Sequence, residues 1–467
     1  MIRMSVAEMA VAMGGEVLGS ENPEKAFVEG LADTDSRLIQ PGGIFFAKPG
    51  EVTDGHLFVD AAIHNGASLV VVEREVSASV PQIVVADVVE ALGALAKYVV
   101  AAVRAQGDVT IIGITGSNGK TTTKNLVATL CATLGPTVAP RDSFNNEVGA
   151  PLTMLKLTME TRYLVLELGA SGVGHIERLT DLAHPDLGVV LMVGLAHAGE
   201  FGGVEATVQA KSELVRGLVP GGPVVLNADD PRVAQMASLA TGPLVWFGQS
   251  EKANVRASDI ESSLDGTSFT LALPTGESAR VKFKVLGEHH VMNALAMASV
   301  AVILGVALDR IVDVLESVVR AERWRMELMG GHGVAVINDA YNASPDSMAA
   351  GLKTLVQVAK PHNRTIAVLG EMSELGEFSG EEHDRIALLV VRLNIDQLVV
   401  VGSAARRLHI SAMNEGSWDG ESRFFETMDD AYDYLVSYCR ADDIVLVKSS
   451  NSAGLRHLGD RIAEAFA

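Results

Sequence analysis

The run Gly113-Ile114-Thr115-Gly116-Ser117-Asn118-Gly119-Lys120-Thr121-Thr122 overlaps the end of the β-branched stretch VTIIGIT (109–115) and leads into TKNLVATL. A glycine-rich turn between a strand and a helix leaves backbone N–H groups free to wrap phosphate oxygens, and the helix start adds a favourable dipole. Lys120 can reach the β- and γ-phosphates as a point charge, and the Thr121 hydroxyl can ligate Mg²⁺. The glycines fall at 113, 116 and 119 and position 114 is Ile, so the strict G-x-x-x-x-G-K-[ST] spacing is not kept. The GKT core at a strand-to-helix junction carries the reading.

Three further residues could work beside such a loop. Glu167 closes the apolar run YLVLELG. A carboxylate at the C-terminal end of a strand points into the crevice where α/β sheets bind ligands, although a helix cap or a surface acid would look the same. His197 follows LGVVLMVG, and Lys211 sits in ATVQAKSEL. Taken singly, they read equally as a structural histidine and a surface lysine. In TDSR, Ser36 and Arg37 offer a hydroxyl and a guanidinium fork suited to phosphate oxygens, and a plain surface turn fits them as well.

The elements that must hold these residues are short apolar runs ending in Gly, Asp or Asn: 68–73, 81–87, 109–115, 163–169, 187–194, 222–228, 364–370, 397–402 and 443–449. Such runs, separated by Ala- and Leu-rich stretches, predict buried parallel strands with helices between them, hence an α/β class. The start of the chain, 1–17, reads as an amphipathic helix. Composition shifts near 104 and 322, each after a helical stretch (91–106 and 308–321), predict three domains at 1–103, 104–321 and 322–467. Around 252–286 the polar–apolar alternation about DG and TG turns predicts an antiparallel hairpin extending the middle domain.

Composition narrows the function. With 467 residues, 48% hydrophobic and 20% charged, the chain has ample material for cores. A net charge of −21 argues against a nucleic-acid groove, which needs clustered Lys and Arg. Cys131 and Cys439 form no C-x-x-C spacing, which fits reduced thiols in the cytoplasm. No secretory signal is apparent. The longest uncharged apolar stretch, 294–308, falls short of the roughly 20 residues needed to span a bilayer and predicts a buried helix.

TGSNGKTTT resembles the ATP loop of the Mur ligase superfamily, which includes folylpolyglutamate synthases, and further motifs extend the resemblance along nearly the whole chain. It implies a central P-loop ATPase domain with a mostly parallel sheet, a Rossmann-like C-terminal domain and a small α/β N-terminal domain that binds a UDP-linked substrate. ELGA, AHAGEFG and QAKSE fall in the family's order. By that resemblance Thr121 and Glu167 hold one Mg²⁺, while His197 and a carbamylated Lys211 serve a second. GEHHVMN matches the adenine-side motif through Asn293, with His290 where the family has Asn. In RMEL, Arg325 corresponds to the arginine that reaches the γ-phosphate, with Arg323 as its rival. NDAYNASPDSM implies that Asp339 contacts the ATP ribose and that Tyr341 and Asn342 lie near the ligation site. It points to the branch that joins D-alanyl-D-alanine to a UDP-N-acetylmuramoyl-tripeptide, a branch that VLGEMSELG and His383 also fit. SFNNEVGAPLTML places Asn145 and Asn146 at the acceptor-peptide cleft, and Ser36 and Arg37 become candidates for the uridine diphosphate. Two departures stand out besides His290. Ser171 and Gly172 replace Asn and His, and Ser449 and Asn451 replace Gly and Arg beside the retained Lys448.

The implied function is ATP-dependent amide-bond formation in bacterial cell-wall precursor synthesis, by way of an acyl phosphate. Its cofactors are ATP, two Mg²⁺ and a CO₂-derived carbamate on Lys211. Its partners are small molecules only, handled by a cytoplasmic monomer without nucleic acid or membrane insertion. The rival from another class is a regulatory protein that binds the nucleotides without ligating them.

Overall fold

A computed structural model describes residues 1–50, 53–194, 203–318, 322–415 and 421–467. Among them, besides a small antiparallel pair, Met4–Ser5 with Phe27–Val28, three larger sheets follow one another along the chain. The first has the order Glu16–Leu18, Gln82–Val84, Ala67–Val72, Gly43–Phe46, Ala32–Asp33, all parallel except the first strand. The second has nine strands and the third has six.

The nine-stranded sheet sets the position of the phosphate loop. Thr110–Thr115 lies centrally, with Tyr163–Glu167 on one side and Leu187–Val190 on the other, all parallel. Beyond Leu187–Val190 come Val224–Asn227, Leu244–Gly248 and Val255–Ser263, still parallel. Chain order reverses at Thr110–Thr115, and such a switch point opens a crevice at the strands' C-terminal ends. The side chains alternate between two cores. Ile111, Leu164, Leu166, Val224 and Leu226 pack on one face, while Ile112, Ile114, Val165, Val189 and Val225 pack on the other. The expected hairpin is present: Gly266–Ala272 and Ser278–Phe283 pair antiparallel onto Val255–Ser263.

Every run read as a strand from the sequence forms one. The start of the chain needs correction. It is not one helix but a strand, Met4–Ser5, a helix, Val6–Met13, and a strand, Glu16–Leu18. Ser5 and Glu8 form a capping box, and Gly14, at φ 64°, stops the helix after two turns. The apolar stretch 294–308 is also divided: Glu288–Ile303 ends before Gly305 (φ 72°), and Leu308–Ser317 starts a second helix.

Helix Val88–Gln106 begins at Asp87, whose carboxylate accepts the N–H groups of Val89 and Glu90. Its apolar residues share one core with the first sheet and with one face of the nine-stranded sheet, so the two sheets are packed through it. In the third sheet Ala335–Asn338 lies beside Asp443–Lys448, parallel, with Asn338 opposite Val447. That register sets Asp339 and Lys448 side by side at the strand ends. No helix among the described residues is long and apolar enough to cross a membrane.

Candidate active site

The ends of these strands border one cavity of about 750 Å³. Its walls carry the loop residues Ser117, Asn118, Gly119, Lys120, Thr121 and Thr122, together with Glu167, and on the far side Arg325, Asp339, Tyr341 and Asn342. Gly116 precedes them in extended backbone.

The loop turns at Gly119, whose φ of 83° favours glycine. A Cβ there would sit 2.3 Å from Asn293 Oδ1, so the missing side chain is also what lets Asn293 approach. Helix Lys120–Ala132 starts at this point without a side-chain cap, leaving its first N–H groups for a ligand. Lys120 Nζ donates to Gly116 O (2.8 Å) and Ser117 O (3.3 Å). Burial lowers its pKa; Glu167 opposes the shift and Arg325 adds to it.

Glu167 is 1% exposed. Its Oε1 accepts from Asn145 Nδ2 (2.7 Å) and Thr121 Oγ1 (3.2 Å), whereas Oε2 is buried with no partner. A buried carboxylate oxygen without a donor is costly unless something positive meets it. Ser143 Oγ lies 3.0 Å from Thr121 Oγ1. Among the described residues no three His, Cys, Asp or Glu side chains converge. Beside the loop, the Glu167 carboxylate and the Thr121 and Ser143 hydroxyls form an oxygen set suited to Mg²⁺.

Arg325 reaches across from the third sheet. Its guanidinium stacks 4.1 Å from the Tyr341 ring centre and comes within 3.4 Å of both Thr121 Oγ1 and Ser143 Oγ. Its rival Arg323 faces away, paired with Asp460. Asp339 accepts from Lys448 Nζ (2.6 Å) and from Met326 N–H (3.0 Å). Asn293 lies between Thr123 and His290. His289 packs against His290, ring centres 4.2 Å apart, and burial pushes the His289 pKa down to about 4. Thus the departure at 290 places an imidazole against the Asn293 amide.

Lys211 is 2% exposed on helix Val204–Arg216. Burial first, then the charge of Lys120, lowers its pKa to about 7, with Glu213 opposing. It does not line the cavity, but it feels the loop's charge. His197 lies outside the described residues. Asn145 and Asn146 both line the cavity, and Asn146 Oδ1 also accepts Gly149 N–H (2.9 Å) at the start of helix Gly149–Met154. Ser36 and Arg37 are not among the cavity's walls; Arg37 is exposed and paired with Asp35 at 2.6 Å. His383 is buried, and its ring joins Ser379 O to Met372 N–H, holding the 370–376 loop. Asn451 receives Arg456. Ser171 contacts His175 at the cavity wall.

Sequence reasoning passed over Ser143, Lys124 and Glu322. Lys124 is 1% exposed and donates to Pro140 O and Asp142 O, both at 3.0 Å, pinning the loop that carries Ser143 and Asn145. Glu322 accepts from Thr122 Oγ1 (3.1 Å) and Asn125.

Three family descriptions match this chain: "Mur ligase family, catalytic domain" over 31–99, "Mur ligase middle domain" over 114–301 and "Mur ligase, glutamate ligase domain" over 324–451. A UDP-N-acetylmuramoyl-tripeptide–D-alanyl-D-alanine ligase of Mycobacterium bovis is 42% identical over an alignment of 502 positions, covering 99% of this chain and 98% of that one. The enzyme of the same name from Bacillus subtilis is 30% identical over 470, covering 100% and 99%. Among solved structures, MurF from Acinetobacter baumannii superposes with a TM-score of 0.87 at 31% identity, covering 99% of both chains. MurF ligase from Thermotoga maritima in complex with ADP gives 0.81 at 26%, covering 94% of this chain and 97% of that one.

Proposed function

The chain belongs to the Mur ligase family, and from that premise we propose that its cleft joins D-alanyl-D-alanine to UDP-N-acetylmuramoyl-tripeptide with ATP as the energy source. The observation that carries this reading is the meeting of Lys120, Thr121, Glu167 and Arg325 around one cavity.

The tripeptide's terminal carboxylate attacks the γ-phosphorus of ATP, giving an acyl phosphate and ADP. The dipeptide's amine then attacks the acyl carbon and phosphate leaves, so no protein nucleophile is required. Positioning and charge stabilisation supply the catalysis. Entering phosphates displace the Lys120 ammonium from the carbonyls of Gly116 and Ser117, and the uncapped helix start offers its N–H groups to the same oxygens. Arg325, held flat by Tyr341, meets the γ-phosphoryl group from the opposite wall. Asn293 serves the adenine side, Asp339 the ribose, and Tyr341 and Asn342 the ligation site.

Thr121 and Glu167, with Ser143 beside them, would hold Mg²⁺, which offsets phosphate charge when bound; the orphaned Glu167 Oε2 supports that assignment. For Lys211 the support is burial and a pKa near 7, since an amine that is partly neutral at physiological pH can take up CO₂ and become an anionic carbamate. His197 joins it in this reading. Residues 1–103 bind the uridine-diphosphate end through Ser36 and Arg37, 104–321 bind ATP, and 322–467 bind the dipeptide. The activity is that of a single chain in the cytoplasm.

The test is phosphate release from ATP, which must require both UDP-tripeptide and D-alanyl-D-alanine. Lys120→Ala is expected to abolish it, and near-normal turnover in that variant rejects the mechanism.

A further inference from the structure

The phosphate loop has one side chain whose orientation is set from another part of the chain. Asn118 Oδ1 accepts a hydrogen bond from Ser344 Oγ at 3.2 Å, across 226 residues of sequence. The other half of the same amide, Nδ2, is sheltered from solvent and has no partner. Both residues border the cavity. An amide with its oxygen satisfied and its NH₂ group unsatisfied beside a phosphate-binding loop is poised to donate to an anion, since burying an unmade donor is unfavourable.

Ser344 is suited to this task by its place in the fold. It is 6% exposed and precedes helix Pro345–Val358, whose Ser347 N–H it accepts at 3.4 Å. Accepting through its lone pair leaves its own hydroxyl hydrogen free for Asn118. The same turn is pressed onto the strand end that supports the loop. A Cβ on Gly194 would fall 2.2 Å from Asp346 Oδ2, and Gly194 N–H donates to Ser117 Oγ at 2.9 Å. The turn therefore sits against both the tip of the phosphate loop and its backing.

We propose that Ser344 is a positioning residue for nucleotide phosphate. Its hydroxyl fixes the Asn118 amide with oxygen outward and NH₂ toward the phosphates, so that the third sheet's unit completes the phosphate loop when it docks. This inference rests on the ATP reading above. A flipped amide would present its oxygen to the phosphates instead, and repulsion would replace a hydrogen bond.

Ser344→Gly separates this role from helix capping, because glycine is tolerated at an N-cap far better than alanine and adds no charge. Wild-type phosphate release with both substrates is measured first; its absence would count against the ATP reading itself. Given that activity, Ser344→Gly is expected to lower kcat/KM for ATP about tenfold, the scale of one hydrogen bond, with the KM for D-alanyl-D-alanine and the melting temperature held. Ser344→Thr, which keeps the hydroxyl, is expected to recover it. In an Asn118→Ala background, Ser344→Gly should have no further effect. Unchanged kcat/KM for ATP in Ser344→Gly, or equal additive losses in the double variant, overturns the proposal.

Discussion

Lys448→Met removes an ammonium and keeps its apolar stem. Lys448 is 2% exposed and its partner Asp339 13%, with 2.6 Å between Nζ and Oδ2. Breaking a buried ion pair from one side costs about 3–5 kcal/mol, because the remaining charge stays buried and unpaired. Asp339 keeps the Met326 N–H at 3.0 Å and a little solvent contact, which argues for the lower figure, about 3 kcal/mol. The carbonyls of Asp339 and Asn342 also lose a donor, but they border the cleft and can take water. Urea unfolding of the purified chain, compared with wild type, measures the loss. The functional consequence follows from Met326, the neighbour of Arg325, which hangs on the same carboxylate; the KM for ATP should rise together with the instability. The companion Lys448→Met/Asp339→Leu removes both charges. It should regain most of the stability, as replaced buried pairs often do, but not the activity, because Met326 N–H then has no acceptor. A stability loss under about 1 kcal/mol in Lys448→Met, or full activity in the double variant, would refute the reasoning.

Two further substitutions probe the cleft. Glu167→Gln keeps size and removes charge at the carboxylate whose Oε2 has no partner. Phosphate release is expected to fall on the order of 100-fold or more, as for other lost transition-state electrostatics, with a higher Mg²⁺ concentration for half-maximal rate; an unaltered Mg²⁺ titration would sink the metal assignment. His289 is held neutral in the folded chain, its pKa pushed from 6.5 to about 4 chiefly by burial. As pH falls from about 6.5 to about 4 the unfolded chain binds a proton that the folded chain refuses, so stability drops through that window. Melting temperatures across pH 4–7 should fall less steeply for His289→Gln than for wild type, and identical acid limbs would contradict the assignment.

Much of the fold was legible because buried parallel strands leave plain marks. YLVLE and DIVLVK are continuous apolar runs, and each ends where its sheet needs a polar group, at Glu167 and at Lys448. The loop at 116–121 was legible for the same reason, since few turns other than a phosphate loop combine these glycines with Lys-Thr. The short strand Glu16–Leu18 and the strand Leu244–Gly248 were not seen. The first is three residues long, and the second, though it contains Trp246, is only half-buried over its first three residues. The capping box at Ser5 and Glu8 was in plain sight but was absorbed into a longer apolar pattern.

What sequence could not supply is the contact across the cleft. Thr122 meets Glu322 over 200 positions, Thr121 meets Arg325 over 204, and Asn118 meets Ser344 over 226. Each pairs a residue with an obvious local reading, a loop threonine or a helix cap, with a second residue whose reading is equally local. Only the docking of the two sheets makes them one site. Two of them join a threonine hydroxyl to a charged group and the third is a neutral hydroxyl–amide bond, so each is worth about 1–3 kcal/mol net. They can therefore hold the units together without making the arrangement irreversible, which suits the proposed reaction, in which a nucleotide and two further substrates enter and three products leave. The strongest pairing nearby, Lys448 with Asp339, lies within the third unit and does not bridge the cleft. On this division of strength the polar bonds across the cleft are the ones substrates can tip, while the Lys448–Asp339 pair keeps the third unit's strand ends together.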